Sequence, residues 1–271
     1  MIRFAIIAAV LLGGCSTPPV ARAPKDRPTI VSLNPCTDAI LAEVAAPGQL
    51  LAISHYSQSP DSTSMDLADA RKYAVTGGTV EEIMALQPDV VVASNFIAPA
   101  TRQALQAQGI RLETYGIAST IADSDRQIRE LAELAGDQAA GEALVKSISA
   151  SIANAQPADG FKPIRAVLWQ ADGIVPGAGT LISELIRRVG FTSHSAARGF
   201  KQADYLSLEQ MLTDPPQLLL LAGQERSQRH PAIDRLASTR KASFDSSLLY
   251  CGGPTIIRAM ERLREIRAGI Q

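Results

Sequence analysis

The chain has 271 residues, a hydrophobic fraction of 46% and a formal net charge of −1 at pH 7. This length suits one large or two moderate domains with sizeable cores. The near-neutral charge excludes a global basic field for nucleic acid, and an aromatic content of 4% argues against stacking on single-stranded bases.

The amino-terminal segment is typical of an exported protein. Arg3 precedes the apolar run Phe4–Leu12, which is too short for a membrane span of about 20 residues. The run leads into Leu12-Gly13-Gly14-Cys15, which resembles a bacterial lipoprotein signal with Cys15 as the lipidated residue. An ordinary secretory signal with an incidental cysteine is the alternative. We expect a signal peptide over 1–14, a proline-rich flexible tether over 15–27, and a periplasmic body anchored to a membrane by lipid.

Residues 28–119 alternate predicted strands and helices, which favours an α/β lobe with a small parallel sheet. Pro35 is suited to the first position of a helix, and Gly109 to the residue that ends one. The predicted strands are Thr29–Leu33, Leu50–Ile53 and Arg111–Thr114, and the predicted helices are Pro35–Val44 and Ala98–Gln108. Residues 54–75 predict a long polar loop with a helical turn near 66–71.

A fourteen-residue phrase occurs twice, 128 positions apart and without a gap. The copies are TVEEIMALQPDVVV at 79–92 and SLEQMLTDPPQLLL at 207–220. In each copy a hydroxyl residue followed three positions later by Glu or Gln predicts a capping box at the start of a short helix. Proline then ends the helix, and an apolar run predicts a strand buried on both faces. A repeat at this distance predicts two similar lobes rather than a solenoid.

Each copy also contains a glutamate that the predicted cap does not use, Glu81 in the first and Glu209 in the second. Stabilisation of the helix macrodipole explains one such residue. Two at the same place in two related lobes suggest a shared surface role.

Residues 120–157 predict a helical connection, because their apolar residues recur at helical spacing. Gly136-Asp137 predicts a break, after which 137–155 form a helix about 28 Å long that joins the lobes. Residues 162–271 then repeat the first plan. The predicted elements are a strand over Ala166–Gln170, a helix from Thr180 to Val189, a last strand over Ser247–Tyr250, and a final helix from Pro254 to Arg267.

Two cysteines follow Cys15, namely Cys36 and Cys251, 215 residues apart. An even pair in an oxidising compartment is compatible with a disulfide. Two free buried thiols, or two soft metal ligands, are the alternatives. Without a CxxC spacing, the metal signal is weak.

Catalytic motifs are weak in this sequence. Gly177-x-Gly179-Thr180 superficially resembles part of a phosphate loop but lacks the required lysine, and there is no GxSxG or HExxH motif. We therefore expect a binding protein with no cofactor of its own. An exported hydrolase-like α/β enzyme and a purely structural lipoprotein are the alternatives.

The order of these features resembles the class III substrate-binding proteins of ABC importers for ferric siderophores, haem and cobalamin. The resemblance covers residues 28–268 and rests on SLNPCTDAIL, GGTVEEIMALQPDVVV, the long linker, YLSLEQML with PPQLLLL, and the final helix led by GGP. It implies two α/β lobes joined by one long helix, with the ligand in the cleft between them. It also implies a monomer that binds the permease dimer with its ATPase. Glu81 and Glu209 would then dock on arginines of the permease.

Ligands of open α/β sheets bind at the carboxyl ends of the strands. The candidate ligand-binding residues in such loops are Asn34, Cys36, His55, Tyr56, Asn95, Trp169, Arg198, Tyr250 and Arg258. Arg198 and Arg258 suit an anionic iron chelate, and His55 beside Tyr56 suits an axial ligand to haem iron. The single Trp, and Ser94-Asn95 where an aromatic would follow the Val91-Val92 strand, argue against cobalamin.

Overall fold

The structure is a computed structural model that describes residues 26–223 and 226–270. The predicted signal peptide, Cys15 and most of the predicted tether lie outside the described residues. Within the described parts of the chain, no helix combines the length and apolarity needed to cross a membrane.

The N-terminal lobe is built on a five-stranded sheet in which all neighbouring strands are parallel. Its strands, in the spatial order β3-β2-β1-β4-β5, are β1 (Ile30–Ser32), β2 (Leu50–Ser54), β3 (Val75–Thr76), β4 (Val90–Ser94) and β5 (Arg111–Tyr115). Its helices are α1 (Pro35–Val44), α2 (Leu67–Ala70), α3 (Val80–Leu86) and α4 (Pro99–Ala107). β1 is fully buried, and so are the four apolar residues Val90–Ala93 of β4, as continuous apolar runs in a parallel sheet should be.

Two helices connect the lobes, α5 (Ile121–Ala135) and α6 (Gln138–Asn154). They meet at the predicted break, where Gly136 adopts a positive φ of 73° and the Asp137 side chain accepts the Ala140 N–H. α6 has 17 residues and is therefore about 25 Å long, with α5 packed beside it.

The C-terminal lobe has a parallel four-stranded sheet in the order β11-β10-β6-β8 and an antiparallel pair β7-β9. Its strands are β6 (Ile164–Gln170), β7 (Ile174–Pro176), β8 (Phe191–Ser193), β9 (Ala203–Tyr205), β10 (Leu218–Ala222) and β11 (Arg240–Phe244). Its helices are α7 (Leu181–Arg188), α8 (His194–Ala197), α9 (Leu208–Thr213) and α10 (Thr255–Ala268). The two copies of the repeated phrase therefore lie in different sheets, as predicted. The exact lobe boundaries, 119/120 and 157/162, stay a prediction.

The predicted last strand, Ser247–Tyr250, is wrong. Residues 246–248 form a 3-10 turn, because the Asp245 side chain accepts the Ser247 N–H at 2.8 Å and starts the turn there. The edge strand is β11, which ends just before this turn.

One hydrophobic core runs through both lobes. Its buried residues include Val90 and Val92 of the first sheet, Leu218 and Leu220 of the second, and Ile148 of α6. Because α5, α6 and α10 pack between the sheets, relative motion of the lobes would disturb this shared core. The helical connection is therefore a rigid support.

A covalent bond adds to this connection. Cys36, at the start of α1, is joined to Cys251 by a disulfide with Cα atoms 5.0 Å apart. The residues that follow are held by the Gly253 N–H donating to Ser124 Oγ at 2.8 Å and by Thr255 Oγ1 donating to the Ser64 carbonyl. Of the three alternatives for these cysteines, the structure contains the disulfide.

Removing the bridge should destabilise the protein without unfolding it at room temperature. The double variant Cys36→Ser/Cys251→Ser should lose about 2–5 kcal/mol of unfolding free energy, because a long closed loop is released in the unfolded chain. Urea denaturation of the oxidised wild type and the variant measures the difference. Equal midpoints and slopes would contradict a structural role for the bridge.

Candidate functional site

The carboxyl ends of the two sheets lie on opposite sides of one gap. Gln170 ends β6, and its side-chain oxygen accepts a hydrogen bond from the Tyr250 hydroxyl. The next residue, Cys251, is bonded to Cys36, which follows β1. This short chain of contacts places the strand ends of the N-terminal and C-terminal lobes beside each other, which is where open α/β sheets bind ligands.

The gap contains a cavity of about 1080 Å³. The N-terminal lobe contributes Pro60 and Asp61, and the C-terminal lobe contributes the ends of β6, β10 and β11 together with α10. Tyr250 and Arg258 are part of the wall. Ligand pockets commonly have volumes of about 300–1000 Å³, so this cavity has room for a bulky ligand. We refer to it as the interlobe cavity.

Several large apolar side chains are solvent-exposed at or beside the strand ends. They are Tyr56 after β2, Phe96 after β4, Ile117 after β5, Ile174 and Tyr205 on the β7-β9 pair, and Tyr250. Phe96 is 78% exposed and Ile117 70%, and groups of exposed apolar side chains often mark ligand-binding or interaction sites. We refer to these six residues as the apolar rim.

The apolar rim corrects one expectation from the sequence. An aromatic does follow the Val91-Val92 strand, because Phe96 lies two residues after the end of β4. Sequence reasoning missed Phe96, Ile117, Ile174 and Tyr205. Phe96 was detectable from its position directly after a buried strand, whereas Ile174 and Tyr205 carry no such signal because they become neighbours only through the β7-β9 pairing.

Four of the predicted ligand residues have exposed side chains, three at strand ends and one in the cavity wall. His55 and Tyr56 follow β2, with ring centroids 4.0 Å apart, Asn95 follows β4, and Tyr250 lines the interlobe cavity. The His55 Nδ1 atom is 3.3 Å from the Thr76 carbonyl, while Nε2 has no hydrogen-bond partner among the described residues. Half-buried Arg258 also lines the cavity. Their contacts with a ligand stay a prediction.

Two other predicted residues have structural roles at the same place. The Asn34 side chain caps α1 by accepting the Cys36 N–H at 2.8 Å, and Cys36 forms the disulfide. The disulfide engages the Cys36 sulfur and the cap engages Asn34 Oδ1, and both residues help to position the strand end of β1.

Trp169 and Arg198 are wrong as cleft residues. Trp169 is only 2% exposed, because it packs in a separate apolar cluster with Val167 and Leu219 and donates its Nε1–H to the Leu206 carbonyl at 2.9 Å. Arg198 pairs with Asp214 at 2.9 Å. Asp214 precedes β10 and also pairs with Arg165 near the start of β6. Arg198 therefore lies at the amino ends of these strands, away from the cleft.

A buried carboxyl group supports the turn that carries His55 and Tyr56. Asp38, on α1, is fully buried, and its Oδ2 accepts the Ser54 N–H at 2.9 Å and the Ser57 hydroxyl at 2.6 Å. Its Oδ1 has no hydrogen-bond partner in the described structure. Burial raises the pKa of Asp38 to about 7, against the lowering effect of these hydrogen bonds.

Glu81 and Glu209 are both exposed in the first turns of α3 and α9. α3 leads from the carboxyl end of β3 to the amino end of β4, so its first turn lies at the cleft-facing edge of the first sheet. α9 leads from β9, which pairs with β7 just beyond the carboxyl end of β6, to the amino end of β10. The Glu209 backbone N–H and the Ser207 hydroxyl lower the pKa of the Glu209 carboxyl. Both glutamates are thus placed on the cleft side of their lobes.

The two predicted capping boxes differ in the structure. Ser207 and Gln210 form the complete reciprocal box. Thr79 does accept the Glu82 N–H, but the Glu82 carboxylate accepts hydrogen bonds from Thr76 Oγ1 and the Gly77 N–H rather than closing the box. These contacts lower the pKa of Glu82 and tie α3 to the end of β3.

Comparison with known proteins agrees with this architecture. The family model described as "Periplasmic binding protein" matches residues 30–243. The chain therefore belongs to the periplasmic binding protein family, in agreement with its resemblance to class III substrate-binding proteins. Members of this family bind solutes and are not enzymes. A search of curated proteins gave no match.

Solved structures share the fold at low sequence identity. The haem-binding protein HutB of Vibrio cholerae is 17% identical, with a TM-score of 0.74 over 90% of this chain and 99% of that one. The apo haem-binding protein RhuT of Roseiflexus sp. RS-1 is 21% identical, with a TM-score of 0.68 over 88% and 97%. The vitamin B12 binding protein BtuF of Vibrio cholerae is 19% identical, with a TM-score of 0.66 over 90% and 98%.

The raised pKa of Asp38 predicts a specific dependence of stability on pH. Between pH 3.8, its ordinary pKa, and about pH 7, the folded protein retains a proton that the unfolded chain has released. The free energy of unfolding should therefore fall as pH rises through this window, and Asp38 should account for up to about 4 kcal/mol of the decrease. Above about pH 7 the contribution of Asp38 should no longer change with pH.

Urea denaturation of wild type and Asp38→Asn at several pH values isolates this effect, because other titrating groups are common to both proteins. The difference in unfolding free energy should shift in favour of the variant as pH rises from 4 to 7. Parallel stability curves would show that Asp38 ionises normally in the folded protein.

Proposed function

We propose that this protein is the substrate-binding lipoprotein of an ABC importer and that it captures a metal chelate or tetrapyrrole-type ligand in the interlobe cavity. The ligand is a ferric siderophore, haem or cobalamin, and any iron or cobalt belongs to the ligand rather than to the protein. The protein delivers this ligand to the permease dimer, whose ATPase drives uptake, while Cys15 carries the lipid anchor in the periplasm.

One observation carries the proposal. A cavity large enough for a chelate lies between the lobes at the carboxyl ends of β6, β10 and β11, and the exposed side chains of Tyr250 and Ile174 line it. A bulky, partly apolar ligand that covers exposed aromatic and aliphatic surfaces removes them from water, and this burial stabilises the complex. The solved structures of similar fold include a haem-binding and a vitamin B12 binding protein, which supports the ligand class.

The helical connection and the disulfide suggest how capture occurs. With a shared core and a covalent bond between the lobes, closure around the ligand should be small, unlike closure on a long flexible hinge. The ligand then enters a largely preformed site, and the loaded and empty proteins present Glu81 and Glu209 at nearly the same separation.

Titration of the purified protein with haem, cobalamin and ferric chelates tests ligand capture. At least one should bind with saturation, shift the visible absorption of the chelate, raise the melting temperature and remain chemically unchanged. Trp169 does not line the cavity, but it precedes Gln170, which does, so its fluorescence gives an additional signal. Absence of binding across the panel, or turnover of a probe, would contradict the proposal.

Docking is tested by reversing both exposed charges. Glu81→Lys/Glu209→Lys should abolish uptake in cells while ligand affinity of the purified protein changes less than about twofold, because exposed charges orient docking partners without touching the cavity. The matched control, Glu133→Lys/Asp159→Lys, reverses two exposed carboxylates outside these helix starts and should leave uptake intact. Normal uptake by the first variant would rule out the docking roles.

A further inference from the structure

The charges around the interlobe cavity are unbalanced. Four carboxylates line it, from Asp61, Asp245, Glu261 and Glu265. Two guanidinium groups, from Arg258 and Arg262, are the cationic side chains in the same wall. The cavity wall is therefore net negative.

Both arginines are already engaged. Arg262 pairs with Glu265 at 3.2 Å and donates to the Ser243 carbonyl at 2.8 Å. Arg258 donates to the Ser64 carbonyl at 3.2 Å and is 3.4 Å from Ser247 Oγ. An anionic ligand would have to compete with these contacts for the two arginines. Arg198, the other arginine predicted to bind an anionic ligand, lies outside the cleft.

Two of the carboxylates are not neutralised. Asp61, from the N-terminal lobe, and Glu261, on α10, are exposed and have no ion-pair or hydrogen-bond partner among the residues described. They approach the cavity from different lobes. A ligand in the cavity therefore experiences negative charge from both walls, and part of this field is not screened once the ligand displaces water.

We propose that the interlobe cavity selects metal chelates of neutral or positive net charge and rejects anionic ones. This inference rests on the proposed function and narrows its ligand class. It favours ferric hydroxamates and neutral or cationic corrinoids over haem, whose propionates are anionic, and over ferric tricatecholates. The apolar rim and the shape of the cavity provide the binding surface, and the carboxylates lower the affinity for anionic chelates.

A series of ferric trihydroxamates with one coordination shell and different charge tests the proposal. Ferrioxamine B carries a free ammonium and is cationic, its N-acetyl derivative is neutral, and its N-succinyl derivative is anionic. Cyanocobalamin, dicyanocobinamide, haem and ferric enterobactin extend the comparison to other shapes. Dissociation constants are measured at low and high salt.

The tightest probe should be neutral or cationic, and within the hydroxamate series the anion should bind at least about tenfold more weakly than the cation, less so at high salt. If an anionic probe binds most tightly, the charge inference is overturned and the proposed function stands. If no probe binds, the proposed function fails and the inference falls with it.

Charge-neutralising variants connect the selectivity to the named residues. Asp61→Asn and Glu261→Gln, tested with whichever probes bind, should each reduce the preference for cation over anion by about threefold to tenfold. The matched control, Asp159→Asn, removes an exposed charge between α6 and β6, at the amino end of the sheet, and should leave the preference unchanged. An unchanged preference in both cavity variants would overturn the proposal.

Discussion

The segment around Tyr250 and Cys251 connects the edges of the two sheets and fixes where the lobes face each other. Cys251 is bonded to Cys36 beside the end of β1, and Tyr250 reaches Gln170 at the end of β6. Two residues adjacent in sequence thereby hold the carboxyl ends of both sheets at one gap. Gly253 follows with a φ of +67° and an N–H bonded to Ser124, at a point where an added Cβ would lie 2.5 Å from Ile40. Only glycine fits this close approach without strain.

Stability and ligand capture are linked through this region. The shared core and the helices α5 and α6 restrain the lobes, so the cavity exists before a ligand arrives. A preformed site costs less conformational entropy on binding than one assembled by the ligand. Asp38 adds a local support, since its carboxyl group holds the Ser54–Ser57 turn that presents His55 and Tyr56. Burying this carboxyl group costs free energy. Groups with such a cost are common near functional sites, and Asp38 supports a turn at the edge of the cleft.

Most of the fold could be predicted from local patterns. Pro35 at the first position of α1, the break at Gly136 and the repeated phrase before β4 and β10 are signals carried by a few neighbouring residues, and the elements begin or end close to the predicted positions. The short strands β3, β7, β8 and β9 were missed, because two or three residues carry too little periodicity to be recognised and their pairing is decided by distant parts of the chain.

The candidate site was less predictable for the same reason. Side chains after buried strands, such as Tyr56, were detectable because parallel sheets place loop residues at one edge. Trp169 and Arg198 were misplaced, because the direction of a side chain on a strand and the partner of a charge depend on packing that spans the lobe. The charge of the cavity wall was equally hidden, since Asp61 and Glu261 are 200 positions apart in the sequence.

The position of the metal in a ligand-bound crystal would locate the ligand. Anomalous diffraction at the metal absorption edge, from crystals of the protein with a bound chelate, should give one metal peak in the interlobe cavity, enclosed by residues of both lobes near Tyr250. A single peak on the outer surface of one lobe, with the cavity filled by solvent, would show that the ligand does not bind between the strand ends of the two lobes.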